Sequence, residues 1–314
     1  MYNYLAYRFG TSLAVMFGVS IVTFGLVFLT PGDPAEVILR QQLERQPSQQ
    51  EIDAFRAERG LDEPVPIQYL DWLSGVLRGD LGSSYYTDTA VSTLLVDALP
   101  LTLELAVVSM AVALVIAIPT GVLSAVHRGS AVDHASQFGA LIGVSMPNFW
   151  LGYLLILVFS LTLGVLPVAG AGSYSQLVLP ALTLGTGMAA IVTRLVRTSM
   201  LEVLEDPYID TARTKGLRER IVVYKHAFRN GIIPVVTIVG LQFGSLLNGA
   251  VVVEIVFQRP GLGMLLVDAV FERNYPVVQG IALFTALIFV ATNLLVDASY
   301  RYLDPRVSLG GETA

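Results

Sequence analysis

Apolar residues fall into six long runs along this chain, at about residues 10–30, 99–125, 136–164, 177–197, 232–256 and 278–300. Each is long enough for a helix that crosses a bilayer at ~1.5 Å of rise per residue. Buried soluble helices imitate one or two such runs, not six. Polar segments separate them unevenly: a hydrophilic loop over 31–98, a short charged insert over 198–231 and a polar tail over 301–314. The pattern predicts an all-α polytopic membrane protein, with an interfacial helix and first span over 1–30 and five further spans over 99–300.

Composition agrees. Hydrophobic residues make up 54% of the 314 and charged residues 14%, against about 25% charged in a soluble domain; mean hydropathy is +0.65. There is no cysteine, which excludes disulfides and thiolate metal sites. The formal charge of −6 reflects acids clustered in loop 31–98 and points to no nucleic-acid partner. The first run is longer than a signal-peptide core and lacks a small-x-small cleavage site, so a retained span is expected. With the N-terminus inside, twelve of the nineteen Lys and Arg fall on the cytoplasmic side, eight of them between Arg194 and Arg229. The positive-inside bias therefore predicts both termini cytoplasmic and loop 31–98 extracytoplasmic.

In that loop, Ser48 followed by Glu51 reads as a capping box and Gly60 as a helix stop. A second amphipathic piece runs from Pro66 through Trp72 to Leu77. The loop is either a solvated cap over outer helix ends or a docking surface. At the opposite side, EDPYIDTARTKG (Glu205 to Gly216) interrupts two apolar runs. Asp206 is a candidate N-cap before Pro207 at the first helical position. Asp210 near the start and Arg213 with Lys215 near the end suit the helix dipole, and Gly216 supplies a left-handed stop. A nine-residue helix, Pro207 to Lys215, is predicted, followed by a second helix over about 217–230. A helix that short is marginal alone in water. It needs either a groove on a soluble partner or the membrane surface to lie on.

Pro147 is expected to kink the third span. Gly240 and Gly244 form a GxxxG, and Asp297 with Arg301 suits an intrahelical pair. Four polar residues at membrane depth, Asn148, Gln242, Asn248 and Asn293, either line a cavity or bond a neighbouring helix. The only lysines, Lys215 and Lys225, sit in TKG and YKH and so make no P-loop. The three histidines, His127, His134 and His226, lie in or beside predicted loops and form no metal-site pattern.

The segment LEVLEDPYIDTARTKGLRERIVVYKHAFRNGIIPVV resembles the EAA loop of ABC importer permeases, in the dipeptide/oligopeptide branch. Asp210-Thr211-Ala212 stands at the Glu-Ala-Ala position, a loose match, and Gly216 at the glycine four residues on. The branch pattern is matched well by Tyr208, Ala212-Arg213, Lys215-Gly216, His226 and Arg229-Asn230. PGDPAE (31–36), GDLGSSY (79–85), SMPNFWLG (145–152), LGVLPVAG (163–170), RPGLGMLLVDAVFERNYPVVQG (259–280) and YLDPR (302–306) extend the likeness over the chain.

The resemblance implies a type I ABC importer permease fold with six transmembrane helices in the inner membrane, and no enzyme activity of its own. It further implies two cytoplasmic ABC ATPase subunits that carry ATP and Mg, a second homologous permease, and an extracytoplasmic substrate-binding protein. Residues Glu205, Asp206, Pro207, Tyr208, Ile209, Asp210, Thr211, Ala212, Arg213, Lys215 and Gly216 would form the coupling helix on an ATPase. Tyr208 and Ile209 would give apolar contact, and Asp210 with Arg213 charged contact. The pore would lie between the two permeases. Gly261, Leu262, Gly263 and Met264 would reach toward the binding protein. Di- or oligopeptides are the implied substrate, with nickel or glutathione as alternatives within the same architecture. A channel or secondary carrier is the rival class, though no buried carboxylate pair is readable in the spans.

Overall fold

The computed structural model describes residues 2–29 and 32–303, and among them the chain is helical with no strand beyond an isolated Ser83–Ala90 bridge. It divides into two compact units. Among the described residues, one comprises those up to 100 together with 264–291; the other comprises 101–263 together with 292–303.

The first unit begins with α1 (Tyr2–Leu29), one unbroken helix. The predicted interfacial helix is thus the first turns of α1; its side chains there lie outside the described residues. Three short helices follow: α2 (Pro34–Leu43), α3 (Gln49–Glu58) and α4 (Val65–Leu77). The Ser48 capping box forms as expected, with the Ser48 amide donating to the Glu51 carboxylate at 2.7 Å, and Gly60 takes a positive φ of 65°. This loop has its own small core of Ala35, Ile38, Ile52 and Phe55, against which Tyr85 and Tyr86 pack. Ion pairing of Arg56 with Asp33 joins α3 to the cap of α2. Burial pushes the Tyr85 and Tyr86 phenols up to about 12. Asn274, 4% exposed, accepts from the Tyr85 amide at 3.1 Å and donates to Ser84 Oγ at 2.8 Å. A side chain far along the sequence therefore pins the GDLGSSY turn.

Glu51 gives a pH test of this cap. Hydrogen bonding to Arg45, then to the Ser48 amide and hydroxyl, holds its carboxyl at about 2 rather than the usual 4.5. A depressed native value means that the stabilisation is complete above 4.5 and is lost as pH falls toward 2. Amide exchange in α3 is expected to quicken across that window, and Glu51→Gln to remove the pH dependence.

The second unit is built around α8 (Ser175–Leu204), whose Leu179, Val192, Val196 and Met200 are almost wholly enclosed. Around it stand α5 (Val91–Val126), α6 (Ala131–Ser145), α7 (Asn148–Leu155) and α12 (Ile233–Val256). Small residues permit the close approaches. A Cβ at Gly121 would stand 2.6 Å from Val196 Cβ, and one at Gly185 2.7 Å from the Ser109 carbonyl, the small-residue packing of helices in lipid. Outward positions of α5 are apolar instead of polar: Val107 and Val115 are 56% and 74% exposed. In water such a surface would be a liability; against hydrocarbon it is the expected one.

Three helices among the described residues are long and apolar enough to cross a membrane: α5, α8 and residues 275–292 of α14 (Tyr275–Leu303). Two bent pairs add candidates. Residues 233–256 bend by 45° near Gly240, and α6 meets the 148–162 stretch at 105°. The single kinked span expected over 136–164 is thus broken nearly at a right angle. Proline at 147 disfavours helical backbone at the residue before it, and Met146 is extended at ψ 124°. Beyond α7 the helix continues as a π-helical stretch, Ile156–Thr162.

Candidate functional site: the charged element after α8

At the end of α8, Glu205 pairs with Arg128 at 2.8 Å, and the chain turns into α9 (Pro207–Thr214). Pro207 occupies the first turn as expected, but the Asp206 carboxylate makes no capping bond. Asp206 holds the N-cap position with extended backbone, and the Ile209 amide bonds its backbone carbonyl at 3.0 Å, so the predicted side-chain cap is corrected. The Thr211 hydroxyl turns back to the Pro207 carbonyl at 3.0 Å. The helix stops one residue early, at Thr214, with Lys215 as its cap. Gly216 then takes φ 77° and donates to the Arg213 carbonyl at 2.9 Å, a conformation glycine adopts without steric cost.

What covers α9 differs from expectation. Ile209 is fully enclosed and Ala212 is 7% exposed. Both belong to the main apolar cluster that includes Met200, Val222, Val223 and Ala227. The covering surface is the helical stretch that follows: α10 (Glu219–Ile221), a π-helical segment Val222–Ala227 and α11 (Phe228–Gly231). Tyr208 fastens the arrangement, its hydroxyl accepting from Asn230 Nδ2 at 2.7 Å and donating to the His226 carbonyl at 3.4 Å. Ile209 is therefore corrected as a direct contact for another protein. The marginal helix is supported by its own chain, because the predicted second helix folds back beneath it. The Ser199 hydroxyl bonds the Gly231 carbonyl at 2.7 Å and ties that support to α8.

The outer face of α9 is polar. Asp210 is 73% exposed at its side chain and pairs with Arg213 at 3.3 Å. Arg213 also reaches both oxygens of Glu219, at 2.9 and 3.3 Å, and this bonding raises its pKa above the usual guanidinium value. Thr211 and Lys215 are exposed beside them.

Sequence reasoning missed the clamp behind this element. Asp133, 4% exposed at its side chain, accepts from Arg197 Nε and Nη2 at 2.7 and 2.9 Å, from Ser124 Oγ at 2.6 Å and from the Gly129 amide at 2.9 Å. One carboxylate thereby joins the end of α5, the start of α6 and α8. The Ser130-x-x-Asp133 spacing is readable as a helix start; nothing in it announces a partner 64 positions on.

The pore candidates are dispersed. Asn148 opens α7 and is half-buried, and a Cβ at Gly249 of α12 would stand 3.6 Å from its Nδ2. Gln242 is half-buried and accepts from Ser245 Oγ at 3.2 Å, while Asn248 is exposed on α12. The side chains of Asn293, Asp297 and Arg301 lie outside the described residues.

The RPGLG turn is also corrected. Gly261, Leu262 and Gly263 are buried, and only Met264, in α13 (Leu262–Phe271), is half-exposed. Glu254, fully enclosed, accepts from Thr102 Oγ1 at 2.6 Å and from the Gly263 amide at 2.8 Å. Thr102 Oγ1 also takes the Leu262 amide at 2.8 Å, and Arg259, 1% exposed, pairs with Glu104. The glycines are required because Glu254 occupies the space a side chain would fill, so their surface faces inward. A Cβ at Gly263 would lie 2.5 Å from Val251 Cα. Gly263→Ala is expected to lower stability by ~1–3 kcal/mol through overpacking, measured by thermal unfolding of the purified chain.

Comparison with known proteins decides the class. Residues 117–309 match the family described as "Binding-protein-dependent transport system inner membrane component", and residues 1–106 match its N-terminal counterpart. The chain belongs to this family. It is 40% identical over 98% of its length, and 99% of the relative's, to the oligopeptide transport system permease protein AppB of Bacillus subtilis. To the glutathione transport system permease protein GsiC of Escherichia coli K12 it is 42% identical, over 98% and 99%. Among solved structures, the inward-facing MetNI methionine ABC transporter superposes with a TM-score of 0.58 at 21% identity, over 68% of this chain and 97% of that one. That likeness establishes the fold. The chain is accordingly an inner-membrane, multi-pass permease, a transport component and not an enzyme.

Proposed function

We propose that this permease forms half of the translocation pore of an ATP-driven importer of di- or oligopeptides. Beside it stand a homologous second permease, two cytoplasmic ATPases that bind the ATP and Mg, and an extracytoplasmic binding protein. Six spans carry the pore, α1 being the first, and both termini are cytoplasmic. The observation that carries the coupling role is the two-faced α9. Its apolar face is locked into the chain's own core, while Asp210, Arg213, Lys215 and the edge of Tyr208 stay outward. A helix anchored on one side and polar on the other passes on a rigid-body push, as nucleotide-gated hinge or shear motions require. Glu205, Asp206 and Thr211 complete that face. Asn148, Gln242, Asn248 and Asn293 are the proposed pore-lining set, because polar groups at membrane depth commonly face cavities. Met264 is the residue of its turn available to the binding protein.

The test is uptake into proteoliposomes that hold this chain, its sister permease and both ATPases, with the binding protein outside. Dipeptide uptake that needs both ATP inside and binding protein outside is the expected result. Uptake driven by an ion gradient without ATP would replace this reading with a secondary carrier. Identity to a glutathione permease supports a second substrate reading, and competition by excess glutathione in the same assay decides between the two.

A further inference from the structure

Helix α4 presents apolar side chains that the described residues of the first unit leave uncovered. None of its thirteen residues is fully buried. Pro66, Leu70, Leu73 and Leu77, spaced four, three and four apart, form one stripe of the helix. Leu70 is 61% and Leu77 81% exposed, Pro66 is exposed beside them and Leu73 is half-buried. The other flank is polar. Gln68 and Asp71, with Asp62 and Glu63 just before the helix, line the open cavity of about 700 Å³ in this loop, and no member of the apolar stripe does. On a loop surrounded by water such a stripe is a liability.

Two contacts fix where α4 sits. Tyr69 Oη lies 2.9 Å from Ser20 Oγ, a hydrogen bond between α4 and α1, and Ser20 is almost fully enclosed. The Phe24 ring meets those of Tyr69 and Trp72, with centroids 5.3 and 5.5 Å apart. The apolar run that α1 carries ends at about residue 30, so at ~1.5 Å per residue Phe24 stands ~9 Å and Ser20 ~15 Å short of its outer end. A cap resting above the helix ends would touch neither. Amphipathic helices of the membrane interface lie ~5–10 Å into the boundary between headgroups and acyl chains, which is the depth of Phe24. Tyr and Trp are the residues enriched at that level. The outward side of α1 is apolar as well: Leu13, Phe17 and Ile21, four apart, are exposed.

We infer that α4 is an interfacial helix seated in the outer leaflet against α1, and that the partner of its apolar stripe is the phospholipid surface. Leu70 and Leu77 enter the acyl region, Gln68 and Asp71 face water, and Tyr69 with Trp72 holds the helix to α1. Loop 31–98 is thereby moored to the bilayer on this flank instead of standing as a free cap. The inference rests on the reading of α1 as the first span.

The chain has no cysteine, so a single substitution carries a nitroxide label without background. Leu70→Cys, Leu77→Cys and Asp71→Cys on α4, Phe17→Cys on α1 and Glu58→Cys on α3 are labelled in the full-length chain, in nanodiscs of phosphatidylethanolamine and phosphatidylglycerol. All five side chains are exposed, so substitution leaves the packing intact. At each position, collision with oxygen, which partitions into acyl chains, is compared with collision with a water-soluble nickel chelate. Oxygen is expected to dominate at 17, 70 and 77 and the chelate at 58 and 71, so the logarithm of the ratio changes sign between 70 and 71. Chelate dominance at 70 and 77 with oxygen dominance at 17 overturns the inference and leaves the first-span reading standing; a face reserved for the binding protein gives that result. Little collision with either reagent at 70 and 77 marks a face covered by protein and overturns it equally, as does oxygen dominance at both 70 and 71. Chelate dominance at 17 overturns both the inference and the span.

Discussion

Arg197→Ala is expected to cost about 3 kcal/mol of stability. The reason is the partner it abandons. Asp133 is 4% exposed and receives two of its four bonds from this guanidinium. Removing one member of a buried pair leaves a charge that water cannot reach, which costs ~3–5 kcal/mol; Arg197 itself is 23% exposed, so the lower end applies. Arg197→Lys keeps the charge but loses the two-pronged geometry, and restores less than half of the loss. Ser124→Ala removes one bond and is expected to cost ~1 kcal/mol. Thermal unfolding of the purified variants measures all three, and equal effects from Arg197→Ala and Ser124→Ala would show that the clamp is a set of independent bonds.

Two neighbouring substitutions on α9 should separate support from coupling. Ile209→Ala empties a site with no solvent exposure and is expected to cost ~2–5 kcal/mol, so α9 comes away from the Val222–Ala227 segment. Asp210→Lys acts on a side chain 73% exposed. Its effect on stability is expected to stay within ~0.5 kcal/mol, while ATP-dependent uptake falls at least tenfold because a charge on the docking face is reversed. Amide exchange across 207–231, measured beside uptake, gives the two readings. Full uptake by a stably folded Asp210→Lys permease would remove the outer face of α9 from the coupling scheme.

Much of the fold was legible because lipid leaves few choices. Backbone polar groups in hydrocarbon must be satisfied within a segment, so long apolar runs read directly as helices. Capping and stop signals at Ser48, Pro207 and Gly216 were readable too, since each acts over a few residues. What was misread acts over distance or through packing. The covering of Ile209 depends on a segment thirteen or more residues later that turns back through a π-helical stretch. The inward-facing RPGLG turn depends on Glu254 and Thr102, the latter on another helix. At 147 proline announced a bend, but the 105° angle was set by how α6 and α7 each pack on α8.

The sequence by itself determined that this is a helical membrane permease of the binding-protein-dependent kind, and where its charged element lies. Those properties are carried by local pattern, namely apolar run length, helix-end chemistry and motifs contiguous in the chain. Tertiary structure alone decided which face of that element is free, which carboxylates are clamped and which line an open cavity. Each of these is a statement about partners brought together from distant positions, and burial, unlike hydrophobicity, is a property of the packed neighbourhood and not of the residue.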